Sequence, residues 1–438
     1  MAQTTSSIFR TLSIPDAALT AYHAGKAAMS RQRYREALPH FEKALSSPDA
    51  AAIFRARAQE QCGVCHLWLG NYEDAEASFQ AAREISDDEN QQARARAHLG
   101  DVADSSGDHE KARSLYTQAL KEGLALNDLL VTGRAQRGLG ILNHRRGNTE
   151  QALSHLTQAL VAFRQLGHAP EQASVLSSIG RTRYARGEYQ QAITAHKEAL
   201  RILEAMAERW RIVRSLNDLG ECYQALYAMP DALDAHQRAL QLADEQLYGI
   251  ATIKPHIQRN LGVDLVESGR YEVGLAYLKQ SLIGARSEGD REQEALGLYH
   301  LARTYLRRER GDEAEEVISE LNAVAEQIDS DRYRALASFV QGELAFARND
   351  AQTAVTALNE AILRAQSSLD RGMLWKLHAA MSHVVGDHAL ATVHAEIAAD
   401  FVRQTAEPLQ DAHLKESFLS AAPVVAVLQA AGANPDTF

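Results

Sequence analysis

The sequence predicts an all-α protein, a right-handed α-solenoid of about ten helical hairpins closed by a C-terminal capping helix. Three observations carry this. Only nine prolines interrupt 438 residues, and the chain is rich in Ala, Leu, Glu, Gln and Arg, which favour helix. A small residue recurs at intervals near forty: Gly25, Gly63, Gly100, Gly140, Gly180, Gly220, Gly262, Ala302, Gly342 and Ala379. A second small residue stands twelve positions after each anchor.

Each part of the repeat has a physical reason. The second series runs Ala37, Ala75, Ala112, Ala152, Ala192, Ala232, Gly274, Ala314, Ala354 and Ala391. Antiparallel helices approach closely only where side chains are short, so the two series mark the crossing of the helices in each hairpin. Large apolar residues precede many anchors (Leu99, Leu139, Ile179, Leu219, Leu261, Leu301) and read as buried packing positions. Gly70, Gly107, Gly147, Gly187 and Gly269 supply the left-handed geometry that ends the first helix of a hairpin. Pro230 and Pro255 stand where a helix begins, a place proline tolerates. The expected organisation is an N-terminal extension over 1–17, a superhelix over 18–400, and a capping segment with a polar tail over 401–438. In that last segment Phe418, Leu419, Val424, Val425, Val427 and Leu428 are apolar enough to cover the final hairpin or to form a homodimer contact.

The formal charge of −11 argues against non-specific binding of nucleic acid. Three cysteines make no disulfide framework. The N-terminal stretch has no apolar core of a signal peptide, and no run of about 18 apolar residues suggests a membrane span. A cytoplasmic protein is expected.

Residues 61–66 read QCGVCH, which contains the Cys-x-x-Cys-His string of covalent haem attachment. In the repeat register, however, Cys62 fills the apolar slot of Leu99 and Leu139, and His66 fills the slot of Tyr223 and Tyr305. No second Cys or His pair at metal spacing lies nearby. The reading is a helix core, with no cofactor and no metal. His196 and His236 fall in an aromatic packing slot and read as core. His378, His383, His388 and His394 do not share one helix face, which argues against a metal site there. No phosphate loop, nucleophile elbow or paired catalytic carboxylates occur, so no enzyme is expected.

Segments such as SIGRTRYARGEYQQAITAHKEAL (178–200) and NLGVDLVESGRYEVGLAYLKQSL (260–282) resemble the tetratricopeptide repeat (TPR) family over roughly residues 18–400. The forty-residue period departs from the usual 34. It is more similar to the variant arrays of LGN-type scaffolds, kinesin light chains and the Rap/PlcR group of peptide sensors. The resemblance implies a groove lined by the first helix of each hairpin, in which asparagines clamp the backbone of a partner. Asn217 and Asn260 are the positions onto which that role carries.

Positions six, three and two before the anchor, and one and four after it, are expected to face the groove. Six before stand Arg57, Arg94, Arg134, Arg214 and His256; three before, Arg137, Asn217, Arg259 and Tyr299. Two before stand Asp218, Asn260 and His300; one after, Arg181, Glu221 and Arg303; four after, Tyr184 and Gln224. Arginine forks suit carboxylates, and asparagine both donates and accepts, so the expected partner is a protein or peptide segment with acidic character. An arginine in this series can equally pair with an acid on the neighbouring hairpin. The leading function is a non-catalytic scaffold or adaptor. The alternative is a Rap/PlcR-like peptide-responsive sensor, or a stand-alone sensor module of the signalling ATPase or cyclase type.

Overall fold

The computed structural model describes residues 14–245, 253–328, 330–367 and 371–433; residues 1–13 of the expected N-terminal extension lie outside these. Every regular element among the described residues is a helix. The chain forms two compact units, Met1–Val175 and Leu176–Phe438.

Unit 1 contains α1 (Asp16–Ser30), α2 (Tyr34–Leu45), α3 (Ala52–Trp68), α4 (Tyr72–Ile85), α5 (Glu89–Ser105), α6 (His109–Ala125), α7 (Leu129–Arg145) and α8 (Thr149–Gln165). The unit boundary falls within α9 (Ala169–Ala185). Unit 2 continues with α10 (Tyr189–Ala205), α11 (Arg209–Ala225), α12 (Met229–Asp244), α13 (Lys254–Glu267), α14 (Tyr271–Glu288), α15 (Arg291–Arg307) and α16 (Gly311–Ile328). It ends with α17 (Asp331–Ala347), α18 (Ala351–Ser367), α19 (Arg371–Val384), α20 (His388–Ala406), α21 (Ala412–Leu419) and α22 (Ala422–Ala430). Taken in pairs, α1 to α20 are ten hairpins, as the period predicts. Within each unit the first helices of successive hairpins also touch one another, α3 with α5 and α5 with α7, then α11 with α13 and α13 with α15. They make one shared wall.

The anchor glycines seat the bulky side chain sixteen positions later, on the second helix of the same hairpin. A Cβ added at Gly25 would lie 2.7 Å from the Phe41 ring, at Gly63 2.7 Å from Phe79, and at Gly100 2.6 Å from Tyr116. Gly140 and Gly342 receive Leu156 and Leu358 in the same way. Gly180 and Gly220 receive His196 and His236, so both histidines are core residues, buried as expected. The Ala partners at positions 37, 75, 112, 152, 192, 232, 314 and 354 are fully buried.

Five turns carry the predicted glycines, Gly70, Gly107, Gly147, Gly187 and Gly269, with φ between 77° and 88°. The equivalent turns of four other hairpins place Gln32, Tyr227, Glu309 and Asn349 in the same left-handed region. There a side chain costs about 1 kcal/mol or more relative to glycine. First helices begin on aspartate caps where the sequence supplies them: Asp88, Asp128 and Asp290 each accept a backbone N–H of the first turn.

Cys62 and Cys65 lie in the hydrophobic cluster of the first two hairpins with Phe41 and Phe54. Burial pushes both thiols up to about 12. They are unreactive packing groups, since the thiolate is the nucleophile and ligand form. His66 stands 3.8 Å from Asp74. The C-terminal segment divides its apolar residues. Val424, Val427 and Leu428 of α22 are buried, and α22 packs on α20 of the last hairpin. Phe418, on α21, turns elsewhere.

Replacing Gly63 with Ala is expected to lower unfolding stability by about 1–3 kcal/mol, because the Phe79 ring has no room to retreat. Urea unfolding followed by far-UV circular dichroism checks this; a change within about 0.5 kcal/mol would deny the anchor its seating role.

Candidate functional site: the wall of first helices

In unit 1 Arg94, Arg134 and Arg137 are engaged with acids on neighbouring hairpins. Arg94 on α5 reaches Asp128, the N-cap of α7, at 3.5 Å. Arg137 on α7 donates to Glu171 on α9 at 2.5 Å and lies 3.4 Å from Asp101 on α5. Arg134 lies 3.5 Å from Glu171 and closely contacts His98 Nε2. His98 in turn stands between Glu60 (3.4 Å) and Asp101 (3.3 Å), and Tyr116 donates to Asp101 at 2.8 Å.

Burial alone would raise the carboxyls of Glu60 and Asp101. The hydrogen bonds from His98 and the nearby guanidiniums outweigh it and hold both well below the usual range. Burial would also make Arg137 easier to deprotonate, but Glu171 and Asp101 reverse the direction. This wall is a neutralised lattice of alternating sign.

Unit 2 holds the remaining predicted residues. Asn260 Nδ2 donates to Asn217 Oδ1 at 3.0 Å and to Glu221 Oε1 at 2.8 Å. Arg259 lies 3.2 Å from Glu221, donates to Asn260 Oδ1 at 2.7 Å, and contacts Gln293 on α15. Gln224 donates to Asp264 at 2.8 Å and to the Asn260 carbonyl at 3.3 Å. His236 from the second-helix layer completes the cluster, with Nδ1 2.5 Å from Asp264 and Nε2 3.3 Å from the Asn217 carbonyl.

Both asparagines nominated as clamps are therefore buried and bonded to each other and to Glu221. The tight hairpin crossings at Gly220 and Gly262 bring α11 and α13 close enough for their amides to meet. That pairing is not visible in the sequence.

Further along the same wall, His256 stands 3.3 Å from Asp290, the N-cap of α15. Burial lowers its pKa, and Arg259 adds to that. Arg303 takes Glu343 on α17 with both arms at 3.2 Å, and its guanidinium lies over the Tyr299 and Phe339 rings. Burial raises the Tyr299 hydroxyl. His300 is held neutral by burial and by the positive charges of Arg259, Arg303, Lys376 and Arg307.

Four further predicted residues lie on the same stretch of wall. Arg214 is exposed. Tyr184 is 36% exposed and meets Tyr189 edge-on at 5.4 Å. Arg181 is half-buried, with Nη2 3.4 Å from Ser178 Oγ. Asp218 is raised by burial against the pull of Arg181 and Arg214, and its buried Oδ2 has no hydrogen-bond partner among the described residues.

Arg134 belongs to unit 1, whereas Arg214, Asn217 and Asn260 share the wall of unit 2. Sequence reasoning overlooked Glu171, Gln293 and Glu343. The signal was present as a spacing of 34: Arg94 to Asp128, Arg137 to Glu171, His256 to Asp290 and Arg259 to Gln293. A first-helix residue thus meets the start of the next first helix.

A family model described as tetratricopeptide repeat matches residues 54–121 and 131–205, and a second model of the same description matches 259–330. Over these segments the chain is built of tetratricopeptide repeats. The TPR hairpins resemble solved structures at low identity. A Rap protein complexed with competence and sporulation factor is 14% identical with a TM-score of 0.65, covering 82% of this chain and 100% of the other. The apo form of the quorum sensor NprR from B. thuringiensis is 14% identical with a TM-score of 0.60, covering 79% and 98%. A signal transduction ATPase with a TPR sensor from Pyrococcus horikoshii is 15% identical with a TM-score of 0.54, covering 80% and 54%. At these identities the likeness is one of fold. A comparison with curated protein sequences gives no match. No helix among the described residues is long and apolar enough to cross a membrane. Among those residues no group of three or more His, Cys, Asp or Glu side chains is arranged to hold a metal ion. Of the four C-terminal histidines, His378 and His394 come together, with Nδ1 atoms 2.8 Å apart.

The buried histidines set a pH dependence for the TPR array. Burial, with Arg181, pushes His196 down to about 4, and burial, with His394, does the same to His378. Each folded pKa lies below the ordinary value of about 6.5, so between these values the unfolded chain binds more protons. Stability is then full above about pH 6.5 and falls toward about pH 4, by about 3 kcal/mol for each such group. Urea midpoints between about pH 7 and about pH 5, above the main carboxylate range, should decline, and a His378→Leu variant should decline less.

Proposed function

We propose that this protein is a non-catalytic binding scaffold whose first-helix wall in unit 2 takes up an extended peptide or protein segment with acidic side chains. The observation that carries the reading is the pairing of Asp218 and Arg214 on one face of α11. Asp218 offers a buried oxygen with no hydrogen bond among the described residues, suited to a backbone N–H of a ligand. Arg214 is exposed and, beyond its pull on Asp218, forms no ion pair with a described residue, which suits it to a ligand carboxylate. Behind them the Asn217–Asn260–Glu221–Arg259 lattice is already bonded, which holds α11 and α13 in place before a ligand arrives.

Structures of this fold class include a Rap protein complexed with competence and sporulation factor and the Rap conjugation gene regulator of plasmid pLS20 in complex with the Phr* peptide. They favour a short peptide as the ligand, and a peptide-responsive sensor as the form the scaffold takes. The charged groups of the wall support a binding role over a catalytic one. Glu60, Asp101, Arg137 and Arg303 are each fixed in a bonded pair.

An array of random decapeptides graded in Asp and Glu content tests this with the full chain. Binding should rise with acidic content and fall with salt. Arg214→Ala should weaken the best binder about tenfold or more, equivalent to about 1.4 kcal/mol, without moving the thermal midpoint. Asn260→Ala should weaken binding and also destabilise the fold by about 1–3 kcal/mol, because it leaves Glu221 and Arg259 with lost partners. Indifference of every peptide to Arg214→Ala would remove this wall as the ligand site.

A further inference from the structure

The segment after the last hairpin does more than cap it. Beyond α20 the chain leaves the final hairpin and returns to the turns of the fifth and sixth hairpins. The backbone N–H groups of Gln410 and Asp411 both donate to Gln190 Oε1, at 2.6 and 3.1 Å. His413 Nε2 stands 2.9 Å from Asp231 Oδ2. The buried Phe418 ring lies 6.5 Å from the Tyr227 ring. Three kinds of contact, from the start of α21 to its end, meet one edge formed by the starts of α10 and α12 and the turn between α11 and α12.

Tyr227 is the turn residue whose ring meets α21. It holds the turn position that five other hairpins fill with glycine, and it adopts the left-handed φ of 55° regardless. A side chain is disfavoured there, so the ring must return something through its contacts. Burial raises the Tyr227 hydroxyl, and the charges of Glu267, Arg303 and Arg307 act on it. Its ring partner is Phe418. The aromatic pair thus joins α21 to the C-terminal edge of the first-helix wall.

We infer that residues 409–419 form an intramolecular clasp, with α21 docked on Gln190, Tyr227 and Asp231, which ties the last hairpin to the fifth and sixth hairpins of the chain and fixes how far those hairpins can spread. The clasp is separable because its polar contacts are exposed; His413 and Asp231 are open to solvent. Asp231, with Asp411 and Glu416 on the helix side, is the charge that His413 faces. This inference stands whether or not the wall binds an acidic peptide.

Two measurements on the full chain decide it. In hydrogen exchange, amides of 412–419 should be protected about tenfold or more over an unstructured chain. Tyr227→Gly should abolish that protection while leaving the exchange of α3 and α5 unchanged. Glycine is the better residue for the turn itself, so a loss of protection cannot come from a damaged hairpin. Exchange in α21 at the unstructured rate in the parent protein, or unchanged by Tyr227→Gly, overturns the clasp. In the second measurement an Asp231→Cys/His413→Cys variant is treated with a short bismaleimide, to which the three buried native thiols are poor targets. A monomer cross-linked within itself supports the clasp. A cross-linked dimer, or no product, overturns it.

Discussion

The structure depends on a steric constraint repeated along the chain: where the first helix carries an anchor glycine, that residue must be small enough to receive a bulky side chain sixteen positions later. Where that residue is glycine, a ring or an isobutyl group rests almost against helix backbone. Close crossing fixes the hairpin, and the hairpin fixes which residues of neighbouring first helices come into reach. Without it, Asn217 and Asn260 would not meet, and Arg259 would have no route to Gln293. The polar lattice of the wall is a consequence of packing at the anchors.

Within that lattice, charges balance between hairpins instead of within them. Partly buried ion pairs are costly to form and more costly to break, because removing one partner strands the other. The arrangement therefore contributes more to register than to net stability. It also separates the wall residues into two groups. Those locked in pairs, such as Arg94, Arg137 and Arg303, set the spacing of helices. Arg214, by contrast, is exposed, and Asp218 keeps a buried oxygen without a hydrogen bond among the described residues.

The fold was legible in the sequence because small residues at a fixed interval answer to one need, the close crossing of paired helices. The anchors, the turn glycines and the burial of Cys62, His196 and His236 all followed from register alone. Individual roles along the wall were less legible. An arginine reads identically whether it awaits a ligand or an acid on a neighbouring hairpin, and a fixed spacing to that acid, 34 residues for Arg94 and Arg137, distinguishes the two. The C-terminal segment was expected to cover the final hairpin with one apolar stripe. Val424, Val427 and Leu428 do lie buried on the helix that packs against α20, but Phe418 belongs to a contact with Tyr227, far back along the chain. Periodicity carries no information about such pairs.

Repeat arrays are commonly treated as strings of interchangeable modules, to be lengthened or trimmed by whole units. The pairing across hairpins removes that freedom here. Excise one hairpin and its neighbours face each other with mismatched partners: the donor of one unit loses the cap it was aimed at, and a half-buried charge is orphaned on each side of the cut. This chain is modular in shape and indivisible in its electrostatics, so its length could change in evolution only together with its charge pattern.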